Sequence, residues 1–112
     1  MLRKLLLIIA IIIIFQSCSK KDLAFEKNEI VDPYNLYKEG MQAFKKNDYF
    51  FANKKFSEAE LNFEIIEYAA KSAIMSSYAL YGINFYDQAI ENLERYLRKY
   101  PADKNVMYAH YL

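Results

Sequence analysis

Cysteine occurs once in the 112-residue chain, glycine and proline twice each, and tryptophan not at all. A lone thiol excludes an internal disulfide, so packing alone must hold any fold. Two Gly and two Pro leave few natural turn points, which argues against many short strands and suits long helices; the predicted class is all-α. Charge of one sign is also lacking: 15 Lys and Arg stand against 14 Asp and Glu, and so even a balance gives no reason to expect nucleic acid as a partner. Long apolar runs are absent too. The longest uninterrupted one, Leu5 to Phe15, has eleven residues, where crossing the hydrocarbon core takes about 20. No glycine-rich phosphate loop, HExxH pattern or nucleophile elbow occurs, so nothing points to an enzyme or to a cofactor.

What is present at the start of the chain sets the compartment. Arg3 and Lys4 form a positive n-region, the apolar run forms the h-region, and Phe15-Gln16-Ser17-Cys18 closes it with a small residue before the thiol. The layout resembles a bacterial lipoprotein signal, in which the cysteine thiol, the best nucleophile among side chains, accepts a diacylglyceryl group before the leader is removed. Gln16 and Phe15 depart from the small residue and the Leu usual in that motif. On this reading residues 1–17 are a leader, Cys18 is the lipidation site, and the membrane is a partner through that lipid. By the same resemblance Ser19, rather than Asp, after the cysteine favours the outer membrane, with the body facing the periplasm. The mature chain then has 95 residues (112 minus 17) and 13 basic against 14 acidic side chains.

Residues 18–32 lack sustained periodicity and read as a lipidated tether. Asp32-Pro33 reads as a helix start, Asp as N-cap and Pro at the first helical position, where its missing N–H costs nothing. Leu36, Gly40 and Ala43 then recur on one face and Tyr34, Tyr37, Met41 and Phe44 on another, up to a polar break at Lys45 to Asp48. A second helix follows through Ala52, Phe56, Ala59 and Phe63, its small residues allowing another helix to come close. The two make a helical hairpin.

The spacing of Gly40, Ala52, Phe56 and Ala59 fits the tetratricopeptide pattern, a small residue on helix A facing Ala, aromatic and Ala on helix B. It recurs at Asp87-Gln88-Ala89, Leu93, Tyr96 and Pro101, displaced by 37 residues from Ala52 to Ala89, against the usual 34 or so. The extra residues are expected around Ile65 to Tyr68. The second repeat is predicted as helix A from about Ala69 to Gly82 and helix B from about Phe85 to Lys99, and a third repeat begins near Asp103 or Asn105. Residues 33–112 thus read as two tetratricopeptide repeats and the first helix of a third. Stacks of this kind need about three units to close their core, so the chain is expected to be the N-terminal part of a longer stack.

Four stretches carry a closer resemblance. They are Phe15-Gln16-Ser17-Cys18; the hairpin from Tyr37-Lys38-Glu39-Gly40 through Phe51-Ala52 to Ala59-Glu60; Lys71-Ser72-Ala73 with Tyr78 to Tyr81; and Asp87-Gln88-Ala89 through Tyr96 to Tyr100-Pro101. With the closing segment Val106 to Leu112 they are similar to the BamD (ComL) family of outer-membrane assembly lipoproteins. The resemblance implies a non-enzymatic, lipid-anchored periplasmic subunit of the β-barrel assembly machinery. Its partners would be a BamA-type barrel subunit, other lipoproteins of that machinery and unfolded outer-membrane proteins. The principal contact with the barrel subunit belongs to C-terminal repeats of that family, beyond these residues.

A tetratricopeptide stack presents helix A on its concave side. Tyr34, Tyr37, Met41 and Phe44, with Ile74, Tyr78 and Tyr81, are therefore the candidates for a peptide-binding groove that takes the aromatic end of a barrel protein. Core packing competes with ligand contact for each of them, since helical aromatic stripes commonly mean burial. Glu58, Glu60, Glu64 and Glu67 read as a solvated face without a convergent base. Lys45-Lys46 and Lys54-Lys55 also read as solvent-facing, and His110 has no partner at metal-ligand spacing. Two other functions share the helix-level features: a different tetratricopeptide lipoprotein, such as a pilus-secretin assembly or envelope coordination factor, and a passive structural tether.

Overall fold

The structure, a computed structural model, describes residues 1–15 and 30–112. Cys18 and most of the expected tether lie outside the described residues. The apolar run forms α1 (Leu2–Phe15), in which Leu5, Leu6, Leu7 and Ile8 are each more than half exposed. No helix among the described residues is long and apolar enough to cross a membrane.

Five further helices follow: α2 (Pro33–Lys45), α3 (Tyr49–Asn62), α4 (Ile66–Gly82), α5 (Tyr86–Lys99) and α6 (Val106–Tyr111). The described residues contain no strand, as the all-α reading expects. From α2 to α6 each helix packs chiefly against its neighbours in sequence, giving successive antiparallel hairpins. The Asp32 carboxylate accepts the Tyr34 N–H at 3.0 Å and Pro33 opens α2, so the predicted cap is present.

The two A-to-B corners are built alike. Asn47 and Asn84 both have positive φ (61° and 63°), a backbone region that Asn tolerates better than most residues. In the first corner Asp48 N–H reaches Ala43 C=O and Asn47 N–H reaches Phe44 C=O; Phe85 to Leu80 and Asn84 to Tyr81 repeat the pair in the second. Both are Schellman caps. The Tyr49 hydroxyl then donates to Asn47 Oδ1 (2.9 Å), and Tyr86 to Asn84 Oδ1 (2.8 Å). Asp48 caps α3 by accepting from the Phe51 N–H.

Between the repeats the chain turns without Gly or Pro. Asn62 closes α3 by donating its side-chain amide to Glu58 C=O at 2.7 Å, and Phe63 takes extended backbone. The expected insertion at Ile65 to Tyr68 proves to be helix: α4 starts at Ile66, three residues before the predicted Ala69, and is 17 residues long against 13 for α2. The extra length is a first turn, not a loop. α6 begins at Val106, just after the expected start.

Small residues let α4 sit between α3 and α5. Ala69, Ala70, Ala73 and Ala79 are buried, as are Ser72, Ser76 and Ser77, and Ser72 and Ser77 return their hydroxyls to the carbonyls of Tyr68 and Ala73. Two apolar clusters result. Ala43, Ala52, Phe56 and Ala79 form the first; Ala69, Ala70, Ala73, Ile74, Tyr96, Tyr100 and Ala109 form the second. Phe56 is wholly buried and stands where a Cβ on Gly40 would fall, 2.8 Å from the ring. The helix A to helix B contact expected from the repeat pattern is thus made through a missing side chain.

Candidate functional site

The seven aromatic and apolar candidates do not form one continuous line. Ile74 is only 5% exposed and belongs to the second cluster, so it is a core residue and not part of a groove; it faces the interior because α4 is covered on both sides. Tyr37, Met41 and Phe44 are half-buried against the first cluster. The Tyr37 ring lies 5.3 Å from Phe56, and Phe44 lies edge-on to Tyr49 at 5.1 Å. Burial raises the Tyr37 phenol above its ordinary pKa, and Lys71 of α4 stands over the ring at 5.6 Å. Much of this stripe is packing.

Tyr34 and Tyr81 remain exposed, at 54% and 64%, but at opposite ends of the hairpins. Tyr34 meets Phe63 and Tyr68 edge-on, at 5.0 and 5.5 Å, where α2 begins and α3 ends. Tyr81 lies 5.3 Å from Tyr86 at the α4–α5 corner.

Around Tyr81 the structure provides a hollow. Tyr78 and Tyr81 from α4, Tyr86, Ile90 and Leu93 from α5, and Tyr111 from α6 line a mainly apolar cavity of about 390 Å³. Ligand pockets of roughly 300–1,000 Å³ are usual, so the space suits one aromatic side chain and its flanking backbone. Tyr81, Tyr86, Ile90 and Tyr111 are each at least half exposed, and tyrosine offers contact area together with a hydroxyl able to meet a backbone group. Only Tyr78 and Tyr81 were foreseen here. The sequence did carry a signal for Tyr86, since it repeats Tyr49 at the 37-residue displacement, and Ile90 follows it by one helical turn.

A polar network occupies the side where α3 and α5 flank α4. Asn53 Oδ1 accepts from Ser76 at 2.6 Å, and Asn92 donates to Ser77 Oγ (2.7 Å) and to Ala73 C=O (3.0 Å). Arg95 donates to Asn92 and, through both terminal nitrogens, to the two oxygens of Glu60 at 2.7 Å each. Tyr100 adds its hydroxyl to Glu60 at 2.8 Å. Glu60 is therefore not part of a solvated face: it is 6% exposed and pins the first repeat to the second. Burial pushes its carboxyl up, but the hydrogen bonds from Arg95 and Tyr100 outweigh that, and its pKa ends below the ordinary carboxylate value. A carboxylate so firmly held is a poor general acid or base. Lys55 also departs from expectation, half-buried and paired with Glu39 at 2.8 Å.

A stack of antiparallel helical hairpins, with an apolar hollow where α4, α5 and α6 meet, defines an all-helical, tetratricopeptide-like protein. A family model described as YfiO, outer membrane lipoprotein, matches residues 30–112; the chain belongs to that family. Among curated relatives it is similar to the outer membrane protein assembly factor BamD of Neisseria gonorrhoeae, 26% identical over 99% of this chain and 43% of the relative. It is also similar to BamD of Rickettsia prowazekii, 31% identical over 84% of this chain and 36% of the relative. BamD of Caulobacter vibrioides is 31% identical over 69% of this chain and 25% of the relative. The chain thus spans less than half the length of these relatives. No solved structure is a significant match.

Proposed function

We propose that this chain is a non-catalytic, lipid-anchored scaffold in the assembly of outer-membrane proteins. Residues 1–17 serve as its leader, Cys18 carries the lipid, residues 18–32 are the tether, and the repeats of 33–112 face the periplasm. The observation that carries the reading is the family match over the whole repeat region, joined to relatives that all bear the name of one assembly factor. The partners are a BamA-type barrel subunit, other lipoproteins of the same machinery and unfolded barrel proteins.

The hollow between α4, α5 and α6 is the reading's peptide site. An extended segment ending in an aromatic residue places that ring among Tyr78, Tyr81, Tyr86 and Tyr111, and each ring buried contributes on the order of 1–2 kcal/mol. That strength suits cargo that must be released. The core position of Ile74 and the packed state of Tyr37, Met41 and Phe44 leave Tyr34 as a separate exposed aromatic outside this hollow.

The test is titration with a fluorescent peptide that ends in Phe, against the wild type and a Tyr81→Ala, Tyr86→Ala double variant. Loss of about two such rings corresponds to a fall in affinity of at least roughly tenfold. An unchanged affinity, or equal affinity for a peptide ending in Ser, would remove the hollow as the cargo site.

A further inference from the structure

A second apolar surface lies at the opposite end from the α4–α5 corner. Antiparallel packing brings the start of α2, the end of α3 and the start of α4 to one end of the hairpins, and this is where the chain enters from residue 30. Ile30 (97% exposed), Tyr34 (54%), Leu61 (80%), Ile65 (50%), Ile66 (71%) and Tyr68 (40%) gather there. Ring contacts through Phe63 tie Tyr34 to Tyr68. Isolated exposed apolar residues need no explanation, whereas a concentration of this kind on one end marks an interaction surface. At the other end of α2, Lys45, Lys46, Asn47 and Asp48 are exposed, followed by the exposed Phe50 and Phe51 of α3.

We infer that this end of the repeat domain rests on the lipid surface to which the chain is anchored. Two observations select lipid over a protein partner. On the anchored reading the lipid sits on Cys18 and the patch begins at Ile30, so only eleven residues lie between them. Their greatest reach is about 40 Å, and they join the domain at the patch itself and not at the α2–α3 corner. The composition also fits: Ile and Leu supply apolar area, and Tyr is a residue that settles at the membrane–water interface. The charges at this end are the exposed Asp32, Glu64 and Lys99 and the exposed pair of Glu67 and Lys104, 2.6 Å apart. The contact orients the domain so that the α2–α3 corner at Lys46, about 20 Å further along α2, points away from the bilayer. The cavity beside Tyr81 is then also held off the surface, within reach of soluble cargo.

The inference rests on the anchored reading above, and its test separates the two. The chain has no tryptophan, so Ile66→Trp and Lys46→Trp each introduce a single indole at an exposed position. The full chain, purified from bacterial membranes, is reconstituted into phosphatidylethanolamine and phosphatidylglycerol vesicles that contain lipids brominated near the top of the acyl chain. The expected result is flotation with the vesicles, blue-shifted and bromine-quenched emission from Trp at 66, and water-like, unquenched emission from Trp at 46. Tyr68→Trp, on the same patch, behaves as Ile66→Trp. Flotation with water-like emission at 66 and 68 overturns the patch as a lipid contact while leaving the anchor. Failure to float overturns the anchor, and the inference with it.

Discussion

Replacing Glu60 by Gln removes the charge at the joint between the repeats and little else. Glu60 is buried and accepts both terminal nitrogens of Arg95 at 2.7 Å and the Tyr100 hydroxyl at 2.8 Å, so Gln cannot receive all three donors. Breaking one partner of a fully buried pair costs about 3–5 kcal/mol. The Arg95 side chain is 40% exposed, and water can take over part of its hydrogen bonding, which lowers the expected loss to about 2–3 kcal/mol at neutral pH. For a domain of this size that is a fall in Tm of roughly 10–20 °C. The sign of the pH dependence follows from the direction of the shift. The folded carboxyl has a lowered pKa, so its contribution is fully present above the unfolded value of about 4.3 and fades as pH falls through the lower folded value. Urea unfolding followed by circular dichroism should show wild type and Glu60→Gln far apart at pH 7 and converging below about pH 4. A difference under about 0.5 kcal/mol at pH 7, or one that does not change with pH, would refute the claim that this ion pair joins the repeats.

Three further outcomes follow from the geometry. Gly40→Ala places a methyl group 2.8 Å from the ring of the wholly buried Phe56, and overpacking of this kind costs about 1–3 kcal/mol in urea unfolding, more than the helix propensity gained. At the positive-φ corner position, Asn84→Gly should be neutral or slightly stabilising, whereas Asn84→Val should lose about 1–2 kcal/mol; equal stability of the two would contradict the Schellman cap. Cys18→Ala should abolish the lipid increment in intact mass and move the protein out of the membrane fraction, and an unmodified Cys18 in the wild type would defeat the anchored reading.

The repeat architecture was legible because its signal is local and periodic. Asp32-Pro33, the small residues facing Phe56, and the displacement from Ala52 to Ala89 each state a backbone or packing requirement that few other residues satisfy. The α3–α4 boundary was less so: neither Gly nor Pro stands there, and the turn is closed by Asn62 bonding its own helix, a device that composition does not advertise. Glu60 was misread because four glutamates in a run look like a helix surface, and only the fold brings Arg95 and Tyr100, 35 and 40 residues later, to one of them. Ile74, one of the groove candidates, is buried for a related reason: its neighbours in the second cluster, Tyr96, Tyr100 and Ala109, come from later helices and are set by long-range contacts. The hollow was legible only in part, because it is shared among three helices: Tyr86 answers to the 37-residue displacement, but Tyr111 answers to no repeat rule.

The central claim is that this chain works as an anchored scaffold in outer-membrane protein assembly, and its most direct test is affinity purification from detergent-solubilised membranes of the source bacterium, with co-purifying proteins quantified by mass spectrometry. Recovery of outer-membrane assembly components, a BamA-type barrel subunit or other lipoproteins of that machinery, is the predicted result. Recovery of a pilus secretin in their place, or of no outer-membrane component, would contradict the account.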